Sequence, residues 1–400
     1  MSSAARARKT VGGFRELAGL MGRASRDGIR RRSDRLLHRG WHRRALDMDH
    51  DRVVLLFFAD VEPGNWTRHA RRALRRLVHA SRGAQRASGF ETAFRGLVRA
   101  IEAAGWVPVV GDFALARANP TYPVGLAGYP HILDRWPLVN PTVLGPGMFD
   151  HPALRPDLFR DERFRSYIVP CEWMRRMFEP VYGDRVVTWY SPVDLTQWPD
   201  YSAEAEKKDI DFLVYDKIHW DRERVVSTVL APVLAELEAR ALRSEVLRYG
   251  SYNLAGYRSL LRRAKAMIFL GENETQGLAY QEAMATNTPI LAWDNGHWLD
   301  PQRTRYTADP VAASSVPFFD PTCGETFPTP AAFPDALERF LERAARSEFS
   351  PRSFVERVLS PAVSSGLYLD AYRSAANGAA THGAATHGAG RGQGADNTGR

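Results

Sequence analysis

Two doubly wound α/β domains are the fold class this sequence predicts, and three observations carry it. Apolar runs of strand length alternate with helix-length amphipathic stretches from residue 52 to residue 292. The alternation pauses at Trp198-Pro199 and the polar residues 202–208 and then restarts, which divides the chain in two. A composition of 44 % hydrophobic and 25 % charged residues supplies a core for each half and excludes a wholly disordered or fibrous chain.

Charge is concentrated at one end. Residues 1–50 hold thirteen Lys and Arg against five Asp and Glu, and the remaining 350 residues hold 41 of each sign. Phe14, Leu17, Leu20, Met21, Ile29 and Trp41 fall among the arginines at broadly helical spacing, so residues 1–50 are expected to form a basic helical arm. Three uses stay open: packing on its own protein, lying on an anionic membrane surface through residues 1–46, or contacting nucleic-acid phosphates. The last is least favoured, because the arm lacks the aromatic interleaving of a nucleic-acid reader. The longest apolar run, residues 53–59, falls far short of the ~20 that cross a bilayer. With only Cys171 and Cys323 and no secretory signal, two free thiols and a cytoplasmic location are expected, peripheral on the membrane if the arm binds it.

The N-terminal domain is expected over 51–200. Residues 53–58, bounded by Asp51 and Asp60, read as a strand buried on both faces. A helix follows at 66–80. Ser88-Gly89-Phe90-Glu91 opens a second helix to Ala104, Gly105 terminates it, and a strand follows at 106–110. Further strands are expected at 142–144, 166–169 and 185–190. The C-terminal domain, 201–349, shows strands at 210–215, 245–249, 266–270 and 289–292, with helices at 222–241, 255–264 and 278–285. Residues 350–374 read as a closing helix, and 375–400, with its Ala-Ala-Thr-His-Gly repeats, as a disordered tail.

The chemistry concentrates in Leu270-Gly-Glu-Asn-Glu-Thr-Gln-Gly-Leu-Ala-Tyr-Gln-Glu282. A buried strand ends, a loop carries carboxylates, Gly277 permits close backbone approach, and a helix begins. Amides of Gly277 and Leu278 at that helix start would suit a diphosphate. Glu274 is expected in the loop facing the cleft. Glu282, on the second turn, is placed to accept hydrogen bonds from a ribose diol, as the acidic residue of dinucleotide sites does. No Cys/His set has zinc spacing, and neither a G-x-x-x-x-G-K-[ST] nor a G-x-G-x-x-G run occurs.

Glu274 and Glu282 with Gly277-Leu278 between them, Ala-Met-Ala after and Pro289 beyond resemble the E-x7-E signature of retaining GT-B glycosyltransferases of the family-four type. The resemblance extends over most of 52–373 and implies two Rossmann-like domains facing a central cleft. It also implies transfer of a sugar from a nucleotide-diphosphate donor to a hydroxyl of a glycan or lipid-linked acceptor, in surface polysaccharide or glycoconjugate synthesis. No metal or cofactor is implied beyond the nucleotide sugar itself. Lys217 and Arg222, five apart after a strand, match the spacing of the family's basic pair on the diphosphate, with Arg224 competing. Glu274 would orient the sugar–phosphate region, Gly89 would lie on a loop near the donor phosphates, and Tyr249-Gly250 would hold the nucleobase. The chain departs from the family in two places. The N-domain histidine is missing or displaced to His131 or His151, and Ser191-Pro192 stands where Asn-Gly is usual. A non-catalytic nucleotide-sugar-binding module and a nucleotide-sugar epimerase therefore remain alternatives.

Overall fold

The apolar run at the start of the first domain is strand β1, Val53–Ala59, with Val53, Val54 and Leu55 wholly removed from solvent. The structure, a computed structural model, describes Trp41, residues 44–59 and residues 89–377. The helix expected at 66–80, most of the basic arm and the tail beyond residue 377 lie outside the described residues. The last arm residues belong to the first domain. Asp47 caps a single helical turn, Met48–Asp51, and the Leu46 amide donates to Asn119 Oδ1 at 2.7 Å.

After β1 come helix α1, Gly89–Ala103, and strand β2, Val107–Val110. Gly105, at φ +77°, turns the chain between them, as a helix-ending glycine should. Helix α2, Phe113–Ala118, and strand β3, Val124–Gly128, follow, and neither was expected. Then come β4, Thr142–Gly147; β5, Phe164–Val169; helix α3, Glu172–Tyr182; and β6, Val186–Thr188. These strands form one parallel sheet in the order β2-β1-β3-β4-β5-β6.

The segment expected as a linker is a 3-10 turn, Ser202–Lys207, leading into β7, Ile210–Lys217. Helix α4 runs through residues 222–239 with a π turn at Val226–Leu230 inside it. Strand β8 is Ser244–Arg248, helix α5 Leu254–Arg263 and strand β9 Ala264–Gly271. Helix α6, Leu278–Ala285, and β10, Ile290–Trp293, complete the expected set. Strand β11, Gly324–Phe327, and helix α7, Phe333–Ala345, are additional. The second sheet is also all parallel, in the order β11-β10-β9-β7-β8.

The closing segment is two helices, α8, Pro351–Val358, and α9, Pro361–Asn377, because Pro361 cannot continue a preceding helix. The tail therefore begins later than expected, since Ala375 is buried within α9. Helix α9 crosses back onto the first sheet. The Tyr372 hydroxyl donates to the Pro123 carbonyl at 2.5 Å and accepts from the Leu55 amide at 2.8 Å. Two parallel α/β sheets bound by a returning terminal helix make the GT-B arrangement. Cys171 and Cys323 are free and buried, and burial pushes both thiols up to about 12.

Candidate functional site

In open parallel sheets, ligands gather beyond the carboxyl ends of the strands. In the second sheet those ends belong to β7, β8 and β9, and they bring three sequence-predicted residues together. Lys217, the last residue of β7, forms an ion pair with Glu274, which follows β9 and is buried. The Lys217 ammonium also lies 5.0 Å from the centre of the Tyr249 ring, just past β8. Tyr249 is half exposed, and Gly250 beside it takes φ +88°, a turn conformation in which glycine carries no steric cost.

The Glu274 backbone is held from both sides. Its amide donates to the Ser314 carbonyl at 2.9 Å, and its carbonyl accepts the Trp173 indole N–H, from α3 of the first domain, at 2.8 Å. Two residues on, Gln276 pairs its side-chain amide with the Ser191 backbone. Oε1 accepts from the Ser191 amide at 2.9 Å and Nε2 donates to its carbonyl at 2.6 Å. The loop that carries Glu274 is thus fastened to the domain opposite.

Gly277 sits at φ +78° and opens helix α6, and no side chain caps that helix. A methyl group at Gly277 would stand 2.1 Å from the Tyr280 ring, so only glycine fits there. The first-turn amides, Leu278 included, face an end with no internal acceptor, which favours an anion. One turn later stands Glu282. Burial raises its carboxyl to about 8, and the positive charge of Arg258 opposes that shift. Its carboxylate has no hydrogen bond or ion pair among the described residues, and the residue keeps a partly open face.

Arg222, expected on the diphosphate, makes its protein contacts within its own loop. Its guanidinium grips Asp216, the buried carboxylate of β7, at 2.9 and 2.5 Å, and donates to the Ile218 carbonyl at 2.9 Å. Burial pushes the Asp216 carboxyl up, but the Arg222 hydrogen bonds, the Ile218 amide and the charges of Arg222 and Arg248 together hold it below the usual carboxylate value. Arg222 thus shapes the loop between β7 and α4. Arg224, its rival, pairs with Asp221 on the surface. Gly89 opens α1 in the first domain, and the segment leading into it lies outside the described residues.

Three further groups escaped the sequence reading. Glu272 accepts from the consecutive His219 and Trp220 amides at 3.0 and 2.8 Å, and burial raises its carboxyl. Trp173 and Gln276 fasten the loop, as described above. Gln276 lay within the signature, but nothing along the chain marks which backbone it meets. Of the two candidate histidines, His151 is a packing residue. It stacks on Tyr306 at 4.9 Å and on Trp298 at 6.3 Å, its Nδ1 accepts from the Ala153 amide, and burial lowers its pKa. His131 keeps a buried Nε2 with no partner among the described residues. No three His, Cys, Asp or Glu side chains among the described residues come together as a metal site would require.

No family model matches the chain, and no curated protein sequence does. Solved structures do. The pneumococcal O-GlcNAc transferase GtfA, in complex with UDP and GlcNAc, aligns at TM-score 0.44 and 11 % identity, over 66 % of this chain and 60 % of its own. This chain thus spans less than two thirds of that protein. Sucrose-phosphate synthase from Thermosynechococcus elongatus aligns at TM-score 0.49 and 12 % identity, over 80 % of this chain and 98 % of its own. The lipopolysaccharide outer core galactosyltransferase WaaB aligns at TM-score 0.43 and 11 % identity, over 80 % and 99 %.

Proposed function

We propose that the protein is a glycosyltransferase that moves a sugar from a nucleotide-diphosphate donor to a hydroxyl acceptor. One observation carries the reading. Lys217 and Glu274 pair beyond the carboxyl ends of one parallel sheet, and the loop from Glu274 leads straight into the uncapped start of α6, which carries the unpaired Glu282.

Each group has a task in that chemistry. The bond that breaks joins the anomeric carbon to the diphosphate, and negative charge grows on the departing phosphate as the sugar becomes oxocarbenium-like. Lys217 and the amides of Gly277 and Leu278 stabilise that charge from fixed positions, so this reading needs no metal. Glu282 accepts the ribose hydroxyls. Glu274, on a loop fastened to both domains, orients the sugar–phosphate region and holds Lys217 in place. Tyr249 and Gly250 border the nucleobase, and Gly89 approaches the phosphates from the other domain. Retention of anomeric configuration and a glycan or lipid-linked acceptor follow from the signature's resemblance to family-four enzymes, and a cytoplasmic site of action suits the two free thiols.

Thermal unfolding in the presence of UDP, GDP and ADP tests the reading. Binding at 100 times Kd adds about 2.7 kcal/mol, a clear rise in midpoint. A rise with one base identifies the donor. No rise with any of them, in protein shown to be folded, removes the proposal.

A further inference from the structure

Helices α5 and α6 are clamped beneath the donor site by Tyr257, whose hydroxyl donates to the Ala279 carbonyl at 2.5 Å. The next residue of α5, Arg258, lays its guanidinium over the Trp198 ring, 4.8 Å from its centre. Its Nε is buried and has no hydrogen-bond partner among the described residues. A buried donor left unmatched is costly, so such a group invites a reason.

A second unmatched group stands nearby. Glu282 on α6 has neither hydrogen bond nor ion pair among the described residues, and Arg258 is the charged side chain that acts on it. The two do not meet as an ion pair. The guanidinium lies instead over the Trp198 ring, a cation–π contact that leaves the carboxylate oxygens uncommitted. Arg352, a second cation close by, is occupied. It pairs with Glu356 at 3.2 Å and donates to the carbonyls of Trp198, at 2.9 Å, and Ala285. Tyr257, the remaining titratable neighbour, is a neutral phenol whose ionisation burial suppresses.

We propose that Arg258 is a positioning residue of the donor site, the fixed counter-charge against which Glu282 offers both carboxylate oxygens to a ribose diol. The inference rests on the nucleotide-donor reading above. It assigns the linker residue Trp198 a part in donor affinity too, as the surface on which Arg258 is set. A carboxylate accepts two hydroxyl protons best when ionised, and a cation held at a distance favours that state without competing for the oxygens.

The experiment titrates UDP, GDP and ADP, with the 2′-deoxy form of whichever binds, into the full chain. It compares the wild type with Arg258→Lys, Arg258→Gln and Arg258→Met, the two neutral variants being made together so that one folded form remains. The neutral variants should bind the ribonucleotide about tenfold more weakly and Arg258→Lys within about threefold of wild type, as expected for coupled neighbours. With the 2′-deoxynucleotide, or with Glu282→Gln already in place, the loss should shrink to less than about threefold. Equal losses for ribo and deoxy forms, or for Lys and neutral variants, would assign Arg258 to packing and overturn the inference, as would no loss at all. A wild type that binds no nucleoside diphosphate removes the donor reading itself.

Discussion

Gln276 and Ser191 face each other across the two domains as a paired amide and peptide, each donating once and accepting once. Ser191 belongs to the dipeptide that departs from the family's usual Asn-Gly, and Gly96 on α1 makes room for it. A Cβ there would lie 2.7 Å from the Ser191 hydroxyl. The departure and the signature loop are therefore one structural unit, and Glu274 moves only if that unit moves.

Replacing Gln276 tests this unit. Gln276→Leu removes both bonds and leaves the buried Ser191 groups unpaired, at about 1–3 kcal/mol. Gln276→Glu sets a carboxylate against the Ser191 carbonyl and should unfold at lower temperature still. Both variants should lower kcat for sugar transfer more than they raise the donor KM. Melting curves and steady-state kinetics decide it, and Gln276→Glu melting with the wild type would exclude the pairing.

The two cations after β7 should separate cleanly by experiment. Arg222→Ala strips the partner from a buried Asp216 and should cost about 3–5 kcal/mol of stability. Changing Asp216 to Asn as well should recover much of that, because the bare charge is gone. Lys217→Met also strips its partner from the buried Glu274 and should lower the melting midpoint, but unlike Arg222→Ala it should in addition weaken nucleoside diphosphate binding by about tenfold or more. Arg222→Ala with normal stability and lost binding would return Arg222 to the diphosphate.

Much of this arrangement could be read along the chain, and the remainder follows from where distant segments meet. The strands β1 and β9 announce themselves because both of their faces are buried along most of their length, so their residues, the exposed Lys265 apart, carry no charge. Helix α6 is bounded as expected, since Gly277 in a left-handed conformation is needed at its start. Strand β3 was missed because Val-Gly-Leu-Ala-Gly carries little strand propensity; its place between β1 and β4 makes it a strand. Strand β11 was missed because Gly-Glu-Thr-Phe, unlike the equally short β2 and β10, has no apolar run. Arg222 and Lys217 look equivalent in sequence, and only the direction in which Asp216 points tells them apart. Arg258 and Trp198 are sixty residues apart with no local mark of their contact.

Glu282 sets a pH dependence whose sign can be worked out. Its folded carboxyl titrates near 8 and an unfolded glutamate near 4.5. The folded state therefore holds a proton that the unfolded state has lost, and this group lowers stability progressively as pH rises from about 4.5 to about 8. Glu282→Gln should abolish that slope and melt higher than the wild type above pH 8. Donor binding should run the other way, strengthening towards pH 8 as the carboxylate ionises, and Glu282→Gln should flatten that profile too. Denaturation and titration calorimetry at pH 6, 7 and 8.5 measure both. A wild-type stability profile identical to that of Glu282→Gln would refute the assignment.

Gly125 in β3 and Tyr368 in α9 offer a test of how the closing helix seats on the first domain. A methyl group at Gly125 would lie 1.9 Å from the Tyr368 hydroxyl oxygen and 2.9 Å from Leu56 Cδ2, so Gly125→Ala should cost about 1–3 kcal/mol by overpacking. The same hydroxyl is buried without a partner among the described residues, so Tyr368→Phe alone should be neutral or stabilising. Combined, the two changes should cost less than the sum of their separate effects, because the atom in the way has been removed. The residual cost comes from the ring carbon at 3.2 Å and from Leu56. Denaturant melts of the four proteins close the cycle, and strict additivity would mean that the helix shifts bodily instead of meeting Gly125 through that hydroxyl.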